Sequence, residues 1–165
     1  MIQILEIFSF QSGYMGGVAT MVDAYMKGSE EFAHNNCELT HLNIAPIINT
    51  GIVKFDNIAY IFTQRKAIRK YLDKNHYDVV HIHTSREFLF VKDVLLAKMI
   101  RKRYDTHITI TIHVGSIHTV YNRIGWFKEK SISLLNKYVD KVIFLSKEMR
   151  KDFIEAGLEE KRTVV

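Results

Sequence analysis

His81 and His83 in DVVHIHTS, and His113 and His118 in THITITIHVGSIH, are the side chains whose type and spacing could do chemistry. An imidazole titrates close to neutrality, so beside a ligand it can give or take a proton, and in neutral form it can bind a metal. His81 and His83 stand two apart in an apolar run, and a strand puts such residues on one face. A metal site there would want a cysteine or a carboxylate at ligand spacing, and none lies beside them in the sequence, so no metal is expected. His81 therefore reads as a core histidine with its hydrogen bonds satisfied. His83 and His113 each end a predicted strand, where they are expected to meet a crevice and act on a bound ligand.

The second candidate is the glycine pair in FSFQSGYMGG. It is not the dinucleotide fingerprint, because Met15 stands where a glycine is required, and it is not a phosphate loop, because no G-K-[ST] follows Gly17. Two readings remain: a tight strand-to-helix turn, or a backbone left bare so that an anion can approach the amides that open the next helix. A nucleophile is not expected. There is no G-x-S-x-G, and the single cysteine, Cys37, has no partner in local reach. Ser85, Ser116 and Ser146 read as loop donors or helix caps, and the first two could bond the hydroxyls of an acceptor.

The elements that must hold these residues alternate. Apolar runs at Ile2 to Phe8, Glu38 to Ile44, Val79 to His83, Ile108 to His113 and Val142 to Leu145, with a last one from Thr163, predict strands, several of them continuous enough to be covered on both faces. Val18, Met21, Val22 and Tyr25 predict the sheet-facing stripe of a first helix, and Ile58, Ile61, Phe62, Ile68 and Leu72 that of a second. Phe88 to Arg103 and Trp126 to Tyr138 predict two more, and Ser146 caps a final helix that runs to Gly157. Residues 45 to 56, with Pro46 and Gly51 and no period, predict a loop. The order is that of βαβ units: an α/β fold with a Rossmann-like, open, mainly parallel sheet and helices on both faces, in one domain of 165 residues. In such a sheet ligands bind beyond the carboxyl ends of the strands, where the loops carrying the histidines and glycines lie. The chain closes on KRTVV, the opening of a strand, which suits a longer protein divided at a domain boundary.

Composition narrows the partners. A hydrophobic share of 47% fits a globular core, and no apolar run reaches the roughly 20 residues of a transmembrane helix. One cysteine and an opening without a charged leader point to a reducing, cytoplasmic compartment. The net charge of +5 admits an anionic partner. Its bases gather at Arg65, Lys66, Arg69, Lys70 and Lys74, and at Lys98, Arg101, Lys102 and Arg103, both read as helix faces or ends. No aromatic residues interleave with them as a stacking motif would need, so nucleic acid is not expected.

GG-x-x-x-x-V, DVVHIHTS, THITITIHVGS and DKVIFLSKEMRKDFIEAGL, in that order, resemble the N-terminal domain of retaining glycosyltransferases of family 4, which have the GT-B fold. The resemblance implies two facing Rossmann-like halves, with this chain mainly on the acceptor side and the donor-binding C-terminal domain absent from it. It implies that Gly16 and Gly17 approach the diphosphate and sugar of a nucleotide-sugar donor, and that His113 contacts the donor sugar near the reacting centre. Ser85, Arg86, Ser116 and His118 become the acceptor-binding candidates, the acceptor being a saccharide or lipid-linked, in surface polysaccharide or glycolipid assembly. It implies no metal or other cofactor, the nucleotide-sugar being a substrate. Relatives that work on lipid-linked acceptors make Arg65, Lys66, Arg69 and Lys70 candidates for contact with an anionic membrane surface, peripherally at the inner face of the cell membrane. The implied chain is inactive alone. Its alternative is a stand-alone binding or scaffold module of a two-subunit glycosyltransferase.

Overall fold

The computed structural model describes residues 1–9, 17–44, 53–84, 87–113 and 127–165, with the backbone alone at 17–18, 53–61, 87–89 and 127–128. Six strands, β1 (Ile2–Phe8), β2 (Cys37–Asn43), β3 (Val79–Thr84), β4 (His107–Ile112), β5 (Lys141–Phe144) and β6 (Thr163–Val164), form one sheet in the order β2-β1-β3-β4-β5-β6. Every pairing in it is parallel. The helices are α1 (Gly17–Lys27), α2 (Ser29–His34), α3 (Val53–Leu72), α4 (Glu87–Arg101), α5 (Phe127–Tyr138) and α6 (Lys147–Glu155). The chain moves outward from β1 to β2, then returns across β1 to β3, so the strand order reverses between β1 and β3. In open parallel sheets the carboxyl ends of the strands at such a reversal are where ligands bind.

The two faces of the sheet differ in chemistry. On one, Leu5, Ile7, Val80, Ile82, Ile108, Ile110, Ile112, Val142 and Phe144 are all closed to solvent and pack with Phe90, Val94, Ala97 and Ile100 of α4. Each such side chain contributes on the order of 1.5–3 kcal/mol by leaving water. On the other face the same alternation brings forward Glu6, His41, His81, His83, Thr109 and Thr111. A polar row on a strand closed on both sides must find its partners inside the protein, and that requirement shapes the site.

The predicted strands recur within a residue or two, and Ser146 caps α6 by accepting a hydrogen bond from the Met149 amide at 3.1 Å. Gly157 follows at φ +101°, a left-handed turn that a side chain would strain, and its amide donates to the Ile154 carbonyl at 2.9 Å. Ser146→Ala is expected to lower stability by about 1 kcal/mol, read as a lower urea midpoint at unchanged slope. An unchanged midpoint would remove the cap from the account.

Three expectations need correction. Residues 53–56 are the first turn of α3, not loop, because beyond Gly51 the sequence VKFD contains nothing that opposes a helix. Phe62 does not face the sheet and is 66% exposed, while Ile68 and Leu72 are buried. At roughly 100° per residue Phe62 lies about 120° around the helix from Ile68, outside the apolar stripe. The short helix α2 was not anticipated: its six residues are too few to display a period.

Candidate functional site

Strand register assembles the polar row. His41 pairs with Glu6, Glu6 with His81, and His81 with Thr109, so four strands present these side chains side by side. One step toward the carboxyl ends, His83 pairs with Thr111. His81 is held on both ring nitrogens by hydroxyls, Nε2 with Thr111 Oγ1 at 2.8 Å and Nδ1 with Thr109 Oγ1 at 3.0 Å. Burial, then the neighbouring His83 and His113, push its pKa down to about 3, so it stays neutral. The expectation of a satisfied core histidine agrees with this arrangement.

His83 departs from expectation. Its side chain has no exposed surface, so it does not itself meet the crevice. Its Nδ1 instead lies 3.3 Å from Nε2 of His113, the residue immediately after β4, whose backbone amide donates to the Thr84 carbonyl at 2.9 Å. That bond carries the β3–β4 ladder one residue further and fixes where His113 leaves the sheet. His113 is half-buried and stacks obliquely with His83, the ring centroids 5.6 Å apart. Burial, then His83, lower its pKa to about 4, so at neutral pH it is an uncharged imidazole that can accept as well as donate.

Behind His83 stands a residue that sequence reasoning missed. Glu6, in the middle of β1, is 3% exposed, and its Oε1 is 3.7 Å from His83 Nε2. A carboxylate does therefore sit beside the histidines, supplied by a strand 75 residues away in sequence. Its signal was a glutamate interrupting IQILEIF, a charged residue in a run that must be covered on both faces. Its other oxygen is 2.9 Å from His41 Nδ1, without forming a directed hydrogen bond. The Tyr25 ring, from α1, lies 6.3 Å from the His83 ring, and burial followed by the Glu6 charge raises its hydroxyl pKa. On α4 a buried pair, Lys92 Nζ to Asp93 Oδ1 at 3.0 Å, adjoins the end of β3, and burial pushes the Asp93 carboxyl up.

Of the remaining site residues, Gly17 opens α1 beyond β1, whereas Gly16, Ser85, Arg86, Ser116 and His118 lie outside the described residues. Arg65, Lys66, Arg69 and Lys70 are on α3, the last three exposed, with Arg69 and Lys70 in its final turn, away from the histidines. The second basic cluster is largely structural: the Arg101 guanidinium pairs with Asp140 and donates to the Thr106 carbonyl at 3.0 Å, and Arg103 reaches Asp73 at 3.6 Å. Among the described residues no group of three or more His, Cys, Asp or Glu is arranged to hold a metal ion.

An all-parallel sheet with a strand-order reversal and helices packed on it defines a doubly wound, Rossmann-like α/β protein, the architecture of the N-terminal half of the GT-B fold. The chain belongs to glycosyltransferase family 4, whose model matches residues 17–165. Solved structures with this fold include Anabaena HepE in complex with UDP and glucose, with 14% identity, TM-score 0.55 and coverage of 100% of this chain and 44% of that one. A UDP-N-acetylglucosamine 2-epimerase aligns at 9% identity and TM-score 0.66 over 99% of this chain and 47% of its own. The trehalose-6-phosphate protein from E. coli bound with UDP-2-fluoro glucose aligns at 12% identity and TM-score 0.54, over 93% and 42%. The chain thus spans a little under half the length of each. No curated protein matches the sequence well enough to count as a relative.

Proposed function

We propose that this chain is the acceptor-side half of a retaining glycosyltransferase that moves a sugar from a nucleotide-sugar donor to a saccharide or lipid-linked acceptor in surface polysaccharide or glycolipid assembly. Membership of family 4 makes it a glycosyltransferase domain at the coarse level. The observation that carries the finer reading is the neutral His113, held against a buried histidine at the crevice where a donor sugar would lie. Uncharged at working pH, His113 bonds a sugar hydroxyl close to the anomeric carbon, where positive charge develops as the nucleoside diphosphate departs. The amides opening α1 at Gly17 face the diphosphate, their partial positive charge serving in place of a metal. The donor-binding half completes the site, and the UDP and UDP-sugars held by structural neighbours make a uridine diphosphate sugar the first donor to test.

The test is turnover by the complete enzyme with a panel of nucleotide-sugars. The expected product keeps the donor's anomeric configuration, and a chelator leaves the rate unchanged. An inverted product, or robust turnover by the isolated 165-residue chain, rejects this reading.

The exposed side of α3 supplies the membrane part of the proposal. Phe62, 66% exposed, stands on the same side as Lys66 and Arg69, an apolar wedge among cations suited to an anionic bilayer at the cytoplasmic face. No described helix is long and apolar enough to cross a membrane. The full-length protein is expected to sediment with vesicles rich in anionic lipid at low salt, and to lose that binding with Phe62→Ser and Lys66→Glu together. Indifference of the unaltered protein to such vesicles rules the contact out.

A further inference from the structure

Three buried polar atoms of the site, Glu6 Oε2, His41 Nδ1 and His83 Nε2, have no directed hydrogen bond among the described residues, the first two facing each other at 2.9 Å. Burying such atoms unmatched costs free energy, on the order of 1–3 kcal/mol each, so their placement calls for a reason. For His83 Nε2 the geometry of Glu6, His83 and His113 supplies one. Glu6 Oε1 faces His83 Nε2 at 3.7 Å, and the opposite nitrogen of the same ring, Nδ1, faces His113 Nε2 at 3.3 Å. An uncharged His83 has one N–H and one lone pair, whereas a charged His83 would carry an N–H on both nitrogens, give its Nδ1–H to His113 and leave that ring in the Nδ1–H form, the outcome that overturns the inference below. With the proton on Nδ1, His83 would turn its lone pair toward a carboxylate, lone pair against negative charge, inside the protein. With the proton on Nε2, the N–H points at Glu6, and Nδ1 becomes an acceptor that, among the described residues, a His113 Nε2–H serves.

We infer that Glu6 and His83 are positioning residues that hold His113 in the Nε2–H form, with Nδ1 left as the ring's single acceptor toward the ligand. The inference rests on His113 acting as proposed above, and goes beyond that role by naming what fixes its proton. A carboxylate that sets the tautomer of one imidazole here sets a second through it, a step of control that the crevice residue could not supply alone. His83 is suited to the task because, among the described residues, no other side chain is hydrogen-bonded to its ring. Its ring is closed to solvent, and among the described residues its titratable neighbours are Glu6 from β1, His81 beside it on β3 with ring centroids 4.3 Å apart, His113 beyond β4, Tyr25 from α1 and, on α4, Asp93 paired with Lys92. Of these, His81 is already bonded on both nitrogens.

The test is the nitrogen spectrum of the histidine rings in the full-length protein labelled with 15N-histidine, read at neutral pH in the unaltered form and in Glu6→Gln, His83→Leu and His83→Asn. His113 is expected as the Nε2–H form in the unaltered protein and as a mixture in Glu6→Gln and His83→Leu. The asparagine variant, whose side-chain oxygen can stand where Nδ1 stood, is expected to restore the preference. A His113 tautomer that is the same in all four proteins, or an Nδ1–H form in the unaltered one, overturns the inference. Activity provides the second arm: Glu6→Gln is expected to lower kcat by about 10- to 100-fold with little change in KM. A tautomer that shifts while kcat holds sinks the role of His113 in the reaction and leaves the positioning intact, so the two failures are distinguishable. If Glu6→Gln does not fold, the two His83 variants decide between the outcomes.

Discussion

Replacing His113 by alanine is expected to lower kcat/KM of the complete enzyme by about 10²- to 10³-fold, the span lost with one preorganised hydrogen bond to a transition state. The size follows from where the ring stands. Its backbone is pinned by the bond from its amide to Thr84, and its Nε2 is engaged by His83, so little entropy is lost in aiming it at a ligand. If the contact is made chiefly as the donor's diphosphate departs, kcat and kcat/KM fall together, and if it serves ground-state binding, KM rises alone. The pH–rate profile adds an independent check. With its pKa lowered to about 4, His113 keeps its lone pair through the range in which a free histidine would protonate, so its acid limb lies near 4 and not near the usual 6.5. A near-normal kcat/KM in His113→Ala removes this residue from the reaction.

The fold was largely legible because its signals are local. Runs such as VVHIH and ITITI can be covered strands and little else, Ser146 announces a helix start by its own chemistry, and the alternation of strands with helices leaves few arrangements of the sheet. The site was legible only as far as single elements reach. His113 was singled out because it ends a predicted strand, and in parallel sheets the loops at those ends are where ligands bind. Glu6 was not, because its meaning depends on register: only when β1 lies between β2 and β3 does this glutamate fall beside His41, His81 and His83. The same blindness put His83 at the crevice, since a strand end shows which residue is last but not that His113 of the next strand closes over it. Phe62 failed differently. It satisfies the i+4 step from Ile58 but not the accumulated angle to Ile68, so a helix long enough to bury one stripe leaves it among the bases.

The buried histidines make the second large prediction, a loss of stability on mild acidification. His81 and His113 have folded pKa values lowered to about 3 and about 4, against roughly 6.5 in an unfolded chain. The unfolded state therefore binds protons that the folded state refuses. Stability is fully present above about pH 6.5 and falls as pH drops from there toward the folded values, by up to about 1.4 kcal/mol per pH unit for each histidine. His81 gives nearly the full slope because it is enclosed, and His113 less because solvent reaches it and screens its burial. Ordinary carboxylates titrate near 4 and add little between about pH 6.5 and 5, and Asp93, whose carboxyl burial pushes up, acts in the opposite sense by favouring the folded state as pH falls, so a net loss of stability in that window belongs to imidazoles. Urea unfolding at about pH 7 and about pH 5.5 is expected to show a clearly lower midpoint at the lower pH. His81→Gln, which keeps a side chain able to bond Thr109 and Thr111 but cannot take a proton, is expected to flatten the slope, so that it lowers stability at neutral pH more than at acid pH. Equal midpoints at the two pH values, or a slope indifferent to His81→Gln, would mean that these rings take up protons without unfolding the sheet, and that the polar row is open to water.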